Sequence, residues 1–212
     1  MSSERELHAG AAALGVNLDD RQCERLLAYG ELILKWNKVY NLTALRDPAS
    51  VLTHHLLDSL SIIAPLAREW PGRAALLDVG AGAGLPGVVI AIMRDDIAVT
   101  CLDAVAKKAA FVQQVSAELG LPNLRGVHSR VESLAGTFDL ISSRAFASLP
   151  DFFAGSKHLL APSGRWLAMK GKVPSGELAL VSHEIQVFHV EQLRVPGLEA
   201  DRCIVWARKQ AD

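Results

Sequence analysis

The sequence predicts an α/β protein with a Rossmann-like, mostly parallel sheet of seven strands, an antiparallel hairpin at one edge and helices ahead of the sheet. Three observations lead there. Helical periodicity fills the first part of the chain, strand-like and helix-like stretches alternate after Arg73, and a glycine cluster closes the first of those strands. With 212 residues, 50% of them hydrophobic, the chain can bury one sizeable core and is too apolar to stay disordered. The expected division is a helical extension over 1–72 packed on a sheet domain over 73–212, the two forming one structural unit.

Each element has its own local reason. Around Leu18–Tyr40, apolar or small residues fall at Cys23, Leu26, Leu27, Gly30, Ile33 and Leu34, the period of one helix face. Asp47 and Pro48 read as an N-cap followed by proline in the first turn, opening a helix over 49–66. Ala74–Val79 is a short apolar run, as suits a strand buried on both faces. A helix follows over Leu85–Met93, with Pro86 in its first turn, then a strand over Ile97–Asp103. Val105–Leu119 reads as a helix stopped by Gly120, and Asn123–His128 and Phe138–Ser142 as the third and fourth strands. Pro150–Leu160 is a further helix and Arg165–Lys170 a fifth strand. Gln186–Val195 and Cys203–Arg208 close the chain with no helix between them, so they pair as an antiparallel hairpin. That ending belongs to a methyltransferase type of sheet rather than an ordinary doubly wound dinucleotide fold.

Composition narrows the class of protein. Lys and Arg number 22 against 23 Asp and Glu, for a net charge of -1, which excludes a whole-surface polycation. The balance is uneven, because residues 105–172 carry nine basic and four acidic side chains. No apolar run approaches the roughly 18 residues of a membrane span, and the first residues lack a signal-peptide layout. Cys23, Cys101 and Cys203 lie far apart, without metal or disulfide spacing. The expectation is a soluble, cytoplasmic, monomeric protein with reduced thiols, no metal and no membrane contact.

Asp78–Gly87 carries glycines at 80, 82, 84 and 87 between a strand and a helix. Such a loop lets the backbone turn tightly and approach a ligand closely. Gly82–Gly87 also fits the G-x-G-x-x-G dinucleotide pattern, but Asp78 at the strand end would repel a pyrophosphate. A carboxylate there suits a ligand bearing an ammonium and a sulfonium, as S-adenosylmethionine does. Asp103, at the end of the second strand, is placed to accept hydrogen bonds from ribose hydroxyls or to cap the following helix. After the third strand, Val131 can pack on an adenine and Glu132 can meet its amino group, or Glu132 is a solvated surface residue.

The acceptor side lies after the fourth strand, at Ser142–Phe146. It has no Asn/Asp-Pro-Pro-Tyr motif, no well-placed cysteine nucleophile and no evident His/Asp pair to remove a proton. These absences suit an acceptor atom with a free lone pair. His54 and His55 are adjacent and so do not share a helix face for a metal.

Seven segments, in order, resemble the ribosomal small-subunit methyltransferase G family, also called glucose-inhibited division protein B. They are Trp36–Asn37, Asn41–Ala44, His54–Leu60, Asp78–Gly87, Ser129–Glu132, Ser143–Phe146 and Met169–Gly171. The resemblance implies a class I S-adenosylmethionine-dependent methyltransferase acting on N7 of one guanine in 16S ribosomal RNA. It implies cofactor contacts at Gly80, Leu85, Val131, Glu132 and Arg144, to which the loop chemistry adds Asp78, Gly82, Gly84 and Asp103. Guanine N7 has no proton to lose, so catalysis reduces largely to proximity and orientation. Arg144, Lys170, Asn41 and Phe146 are the candidates for positioning substrate, and Arg130, Arg144, Lys170 and Lys172 for contacting RNA. Phe146 either stacks on an extruded base or fills the core behind the loop. The RNA is expected free, in the small ribosomal subunit or in an assembly intermediate. A methyltransferase for another RNA or a small molecule, a nicotinamide-dependent dehydrogenase and a regulatory binding module are the alternatives.

Overall fold

The computed structural model describes residues 2–210, so Met1, Ala211 and Asp212, which the expected units 1–72 and 73–212 include, lie outside the described residues. Its strands are β1 (Ala74–Val79), β2 (Ile97–Asp103), β3 (Leu124–His128), β4 (Phe138–Arg144), β5 (Leu160–Lys170), β6 (Ile185–Leu193) and β7 (Arg202–Lys209). They form one sheet in the order β3-β2-β1-β4-β5-β7-β6. The first five run parallel, and β7 pairs antiparallel with both β5 and β6. The closing hairpin is thus present, with its second strand inserted between β5 and the edge strand β6. The order in which strands are added reverses between β1 and β4, which run parallel, and this opens a crevice at the carboxyl ends of those strands.

Alternation along the strands feeds two cores. Leu76, Val99, Leu140 and Trp206 point to one face, while Leu77, Leu102, Ile141 and Val205 point to the other. The first core also takes Leu7 from α1 (Ser3–Ala13) and Cys23, Leu26, Tyr29 and Ile33 from α2 (Asp20–Tyr40). The N-terminal helices therefore pack on the sheet. Asp19 and Gln22 form a reciprocal capping box at the start of α2, and Asn41, in the left-handed conformation, ends it.

The expected helix over 49–66 is broken into pieces. α3 (Pro48–Val51) is capped by Asp47 as anticipated, but a π-helical turn follows over Leu52–Leu57, then α4 (Asp58–Leu60) and α5 (Ile63–Glu69). Such a turn redirects backbone carbonyls and is common at functional sites. The remaining helices are α6 (Gly87–Met93), α7 (Ala106–Glu118), α8 (Leu149–Ser156) and α9 (Ser175–Leu178). α6 starts later than periodicity suggested, with Pro86 at its N-cap. The expected helix over 150–160 ends at Ser156, and β5 begins at Leu160 rather than Arg165. The apolar run Leu159–Ala161 has no period of its own, so pairing with β4 decided it.

α7 lies directly on β3 at Gly126, where an added methyl group would fall on the Ala109 carbonyl oxygen. Gly126→Ala is therefore expected to destabilise the fold by about 1–3 kcal/mol through overpacking. Thermal unfolding followed by circular dichroism checks this, and an unchanged midpoint contradicts it.

Candidate functional site

The glycine loop is built by hydrogen bonds from three directions. Gly80, Gly82 and Gly84 have φ of 66°, 59° and 86°, a backbone region that side chains resist. The Ala81 N–H donates to the Leu102 carbonyl at 3.0 Å, and the Gly82 N–H to Asp103 Oδ2 at 2.9 Å. From below, the buried Tyr29 hydroxyl of α2 donates to the Ala83 carbonyl at 2.5 Å. Tyr29 in turn stacks on Phe111 of α7.

Asp78 closes the loop from the strand side. Its Oδ2 accepts from the Gly87 N–H at 2.9 Å and its Oδ1 from the Ser142 hydroxyl at 2.8 Å. The carboxylate is fully buried and does not line the adjoining cavity. This corrects the expected direct contact with a ligand ammonium: Asp78 shapes the loop from behind. Burial pushes its pKa up to about 6, against the lowering effect of its two hydrogen bonds.

The cavity, of about 580 Å³, opens above Gly80, Gly82 and Leu85. Its wall is an ion-pair cluster. Asp58, almost wholly buried, accepts from Arg144 Nη1 through Oδ2 at 2.8 Å and from Arg202 Nε through Oδ1 at 2.8 Å. Arg144 Nη1 also donates to the His54 carbonyl of the π turn at 3.1 Å. His55 lies beside Arg144, with Nε2 2.8 Å from the Thr43 hydroxyl. Nδ1 faces the His54 carbonyl at 3.0 Å, so in the neutral ring it carries the proton and Nε2 accepts from the Thr43 hydroxyl. Burial, and then the Arg144 charge, depress the His55 pKa to about 4, so the ring is neutral near pH 7. Asn37, buried under this corner, bridges the Leu45 carbonyl and the Thr43 N–H.

Of the residues expected from sequence, Gly80, Gly82, Leu85, Arg144 and Lys170 line this cavity. Gly84 faces inward, where an added Cβ would meet Val88, Val112 and Tyr29. Asp103 sits at the end of β2 as the loop's anchor, accepting also from the Val105 N–H at 2.9 Å. Val131 is buried in the second core, and Glu132 is exposed beside it. Neither lines the cavity. Asn41 is the left-handed cap of α2, its Oδ1 accepts from Arg46, and it does not line the cavity. Lys170 lines the cavity, and its ammonium donates to the Ala147 carbonyl and to Glu177 at 2.7 and 2.8 Å. Phe146 is 43% exposed and lies against Gly80, which excludes the buried-core alternative. Arg130 and Lys172 are exposed and outside the cavity.

Sequence reasoning missed Asp58, Arg202, Thr43 and Tyr29. Asp58 and Thr43 fall in segments that carry the family resemblance, a signal that was available. Nothing local marks Arg202, which reaches Asp58 across 144 residues. Among the described residues, no group of His, Cys, Asp or Glu is arranged to hold a metal ion, and no helix is long and apolar enough to cross a membrane.

The Asp78 shift has a definite sign. A carboxyl whose folded pKa is raised contributes stability below its unfolded value near 3.8 and loses it as pH rises through about 6. Asp78→Asn removes the charge; its amide oxygen still accepts from the Gly87 N–H, and its amide NH2 donates to the Ser142 oxygen in reversed direction. The variant is therefore expected to gain on the native chain by up to about 3 kcal/mol between pH 4 and pH 7. Denaturant unfolding at the two pH values measures this, and a pH-independent difference contradicts it.

The geometry has known counterparts. Residues 22–205 match the model of the family described as rRNA small subunit methyltransferase G. The chain is 58% identical over 210 residues to the ribosomal RNA small subunit methyltransferase G of Polaromonas sp. strain JS666, covering 97% of this chain and 93% of that one. It is 56% identical over 219 residues to the protein of that name from Acidovorax sp. strain JS42, covering 99% and 97%. Among solved structures, a ribosomal protein L11 methylase from Lactobacillus delbrueckii subsp. bulgaricus shares the fold with a TM-score of 0.56 at 16% identity, over 78% of this chain and 80% of that one. A Burkholderia thailandensis 1,6-didemethyltoxoflavin-N1-methyltransferase, solved with S-adenosylhomocysteine, does so at 0.58 and 17%, over 92% and 93%.

Proposed function

The chain belongs to the rRNA small subunit methyltransferase G family, and from that premise we propose that it methylates N7 of one guanine in 16S ribosomal RNA, with S-adenosylmethionine as methyl donor. The observation that carries this reading is the identity above 55% over almost the whole chain. It extends across the N-terminal helices as well as the sheet.

The residues present suit the donor. The cavity volume lies within the roughly 300–1,000 Å³ of small-molecule sites. A Cβ added at Gly82 would have only the Gly80 carbonyl within 4 Å, so the loop leaves open space where a ligand can approach the backbone. Gly80, Gly82, Leu85 and Arg144 would hold the methionine part, with the guanidinium toward its carboxylate. Asp103, Val131 and Glu132, at the ends of β2 and β3, would hold the adenosine part. When bound, S-adenosylmethionine supplies an electrophilic methyl group on a sulfonium.

The chain's own work is then to bind and orient. Guanine N7 presents a lone pair, so no side chain has to take a proton. The wall agrees with that requirement, because Asp58 is paired to two guanidinium groups and His55 is held neutral from outside. Asp58 also offsets the Arg144 charge, which lowers the repulsion a bare cation would exert on the cationic 7-methylguanine product. Phe146, exposed above Gly80, is assigned to stack on the target base. Lys170 positions that residue through the Ala147 carbonyl and Glu177. The protein is taken to act as a monomer in the cytoplasm, on free RNA, the small subunit or an assembly intermediate.

Incubation with S-adenosylmethionine and either deproteinised 16S RNA or small subunits, followed by mass spectrometry of nucleosides, tests the reading. One 7-methylguanine per RNA is expected, and unchanged RNA on every substrate form would sink it. Arg144→Ala should lower kcat/KM by about 10- to 100-fold, the range of a charged hydrogen bond. Arg144→Lys should restore little, because a single ammonium lacks the second guanidinium nitrogen that lies toward His55 while the first serves Asp58 and the His54 carbonyl.

A further inference from the structure

A second cleft, of about 630 Å³, adjoins the cofactor cavity and shares two of its walls, Gly171 and Arg202. Sheet register explains its shape. β5 ends at Lys170, β6 ends at Leu193 and β7 begins at Arg202, with Lys170 paired to Cys203 and Leu193 to Arg202. Three neighbouring strands thus stop at the same end of the sheet. The residues just past those ends are Gly171, Lys172 and Arg194, and all three line the cleft. Adjacent strands lie about 4.8 Å apart, so the basic side chains form a row across strand ends rather than converge on one point.

The charges in that row are not balanced locally. Lys172 and Arg194 are exposed and form no ion pair or hydrogen bond among the described residues. Arg202 is held by Asp58 through Nε and by the Asp201 carbonyl through Nη1. Against them stands one carboxylate on the lining, that of Asp201. A row of cations leading away from a small-molecule cavity, with a shared wall, suits an extended polyanion that continues out of it.

Resting on the reading of the protein as an RNA methyltransferase, we propose that this cleft is a backbone-binding groove for the RNA substrate. The phosphodiester chain flanking the target guanosine lies across the ends of β5, β6 and β7. Lys172 and Arg194 contact phosphates, and Arg202 joins the groove to the wall of the methylation cavity. Arg194 and Arg202 thereby join Lys172, which charge patterning alone had singled out. The contacts are to phosphate, so they position the RNA without reading its sequence.

The test compares the intact protein with K172A/R194A and with a charge-matched control, R5A/R21A, whose positions lie on α1 and α2. Affinities for deproteinised 16S RNA and for small subunits are measured from 50 to 300 mM salt. S-adenosylhomocysteine binding is measured by calorimetry. The groove variant should bind RNA about tenfold more weakly, and the slope of log K against log salt should shrink by about 2. Cofactor binding should be unchanged, and the control should resemble the intact protein. Unaltered RNA affinity and slope in K172A/R194A, with methylation by the intact protein retained, would overturn the groove alone. An equal loss in the control would overturn it too, by reducing the effect to net charge. Absence of RNA binding and methylation by the intact protein would instead strike the functional reading, and the groove with it.

Discussion

One buried carboxylate holds the walls of the site together. Asp58 comes from the N-terminal helical segment, Arg144 from the end of β4 and Arg202 from the start of β7, and all three meet at 2.8 Å contacts. Removing a carboxylate from water is costly unless opposite charge and hydrogen bonds replace the lost hydration. Two guanidinium groups supply that here. The cluster therefore couples parts of the chain that have no other reason to stop at the same place. It leaves one net positive charge beside the cavity, with donor capacity still available on Arg144.

A second buried carboxylate does comparable work for the glycine loop. Asp78 receives the Gly87 N–H and the Ser142 hydroxyl, linking β1, the start of α6 and β4. Tyr29 supports the same loop from α2, and Asp103 supports it from β2. A loop with three residues in the left-handed region has many other conformations open to it when unfolded. Anchors from three elements select one of them. The N-terminal helices are thus part of the site's construction, since one of those anchors and the Asp58 cluster both come from them.

The chain's patterning made much of this legible. The seven strands, the antiparallel ending and the glycine loop follow from apolar runs, glycine spacing and the missing last helix. The broken helix at 48–69 was not legible, because a π turn has no distinct periodicity over six residues. Asp78 was legible as important and misread in its role. Position after a strand marks a carboxylate as near a ligand, but only packing shows whether it points toward the ligand or away from it. Lys170 and Asn41 show the same limit: a polar side chain near a site takes whichever partner the fold brings within reach, here the Ala147 carbonyl and Glu177 for one and Arg46 for the other.

What the sequence by itself determined is the order of elements, the place of the loop at a strand end and the segments that carry the family likeness. All of these depend on near neighbours in the chain. What only the tertiary structure decided is which side chains meet. Asp58 and Arg202 stand 144 residues apart, and strand register brings Lys172, Arg194 and Arg202 to neighbouring strand ends. Local chemistry sets what each residue can do, whereas the sheet's strand order sets which partners it is given. No spacing rule along the chain encodes that second choice, because it is made by burial of two cores at once.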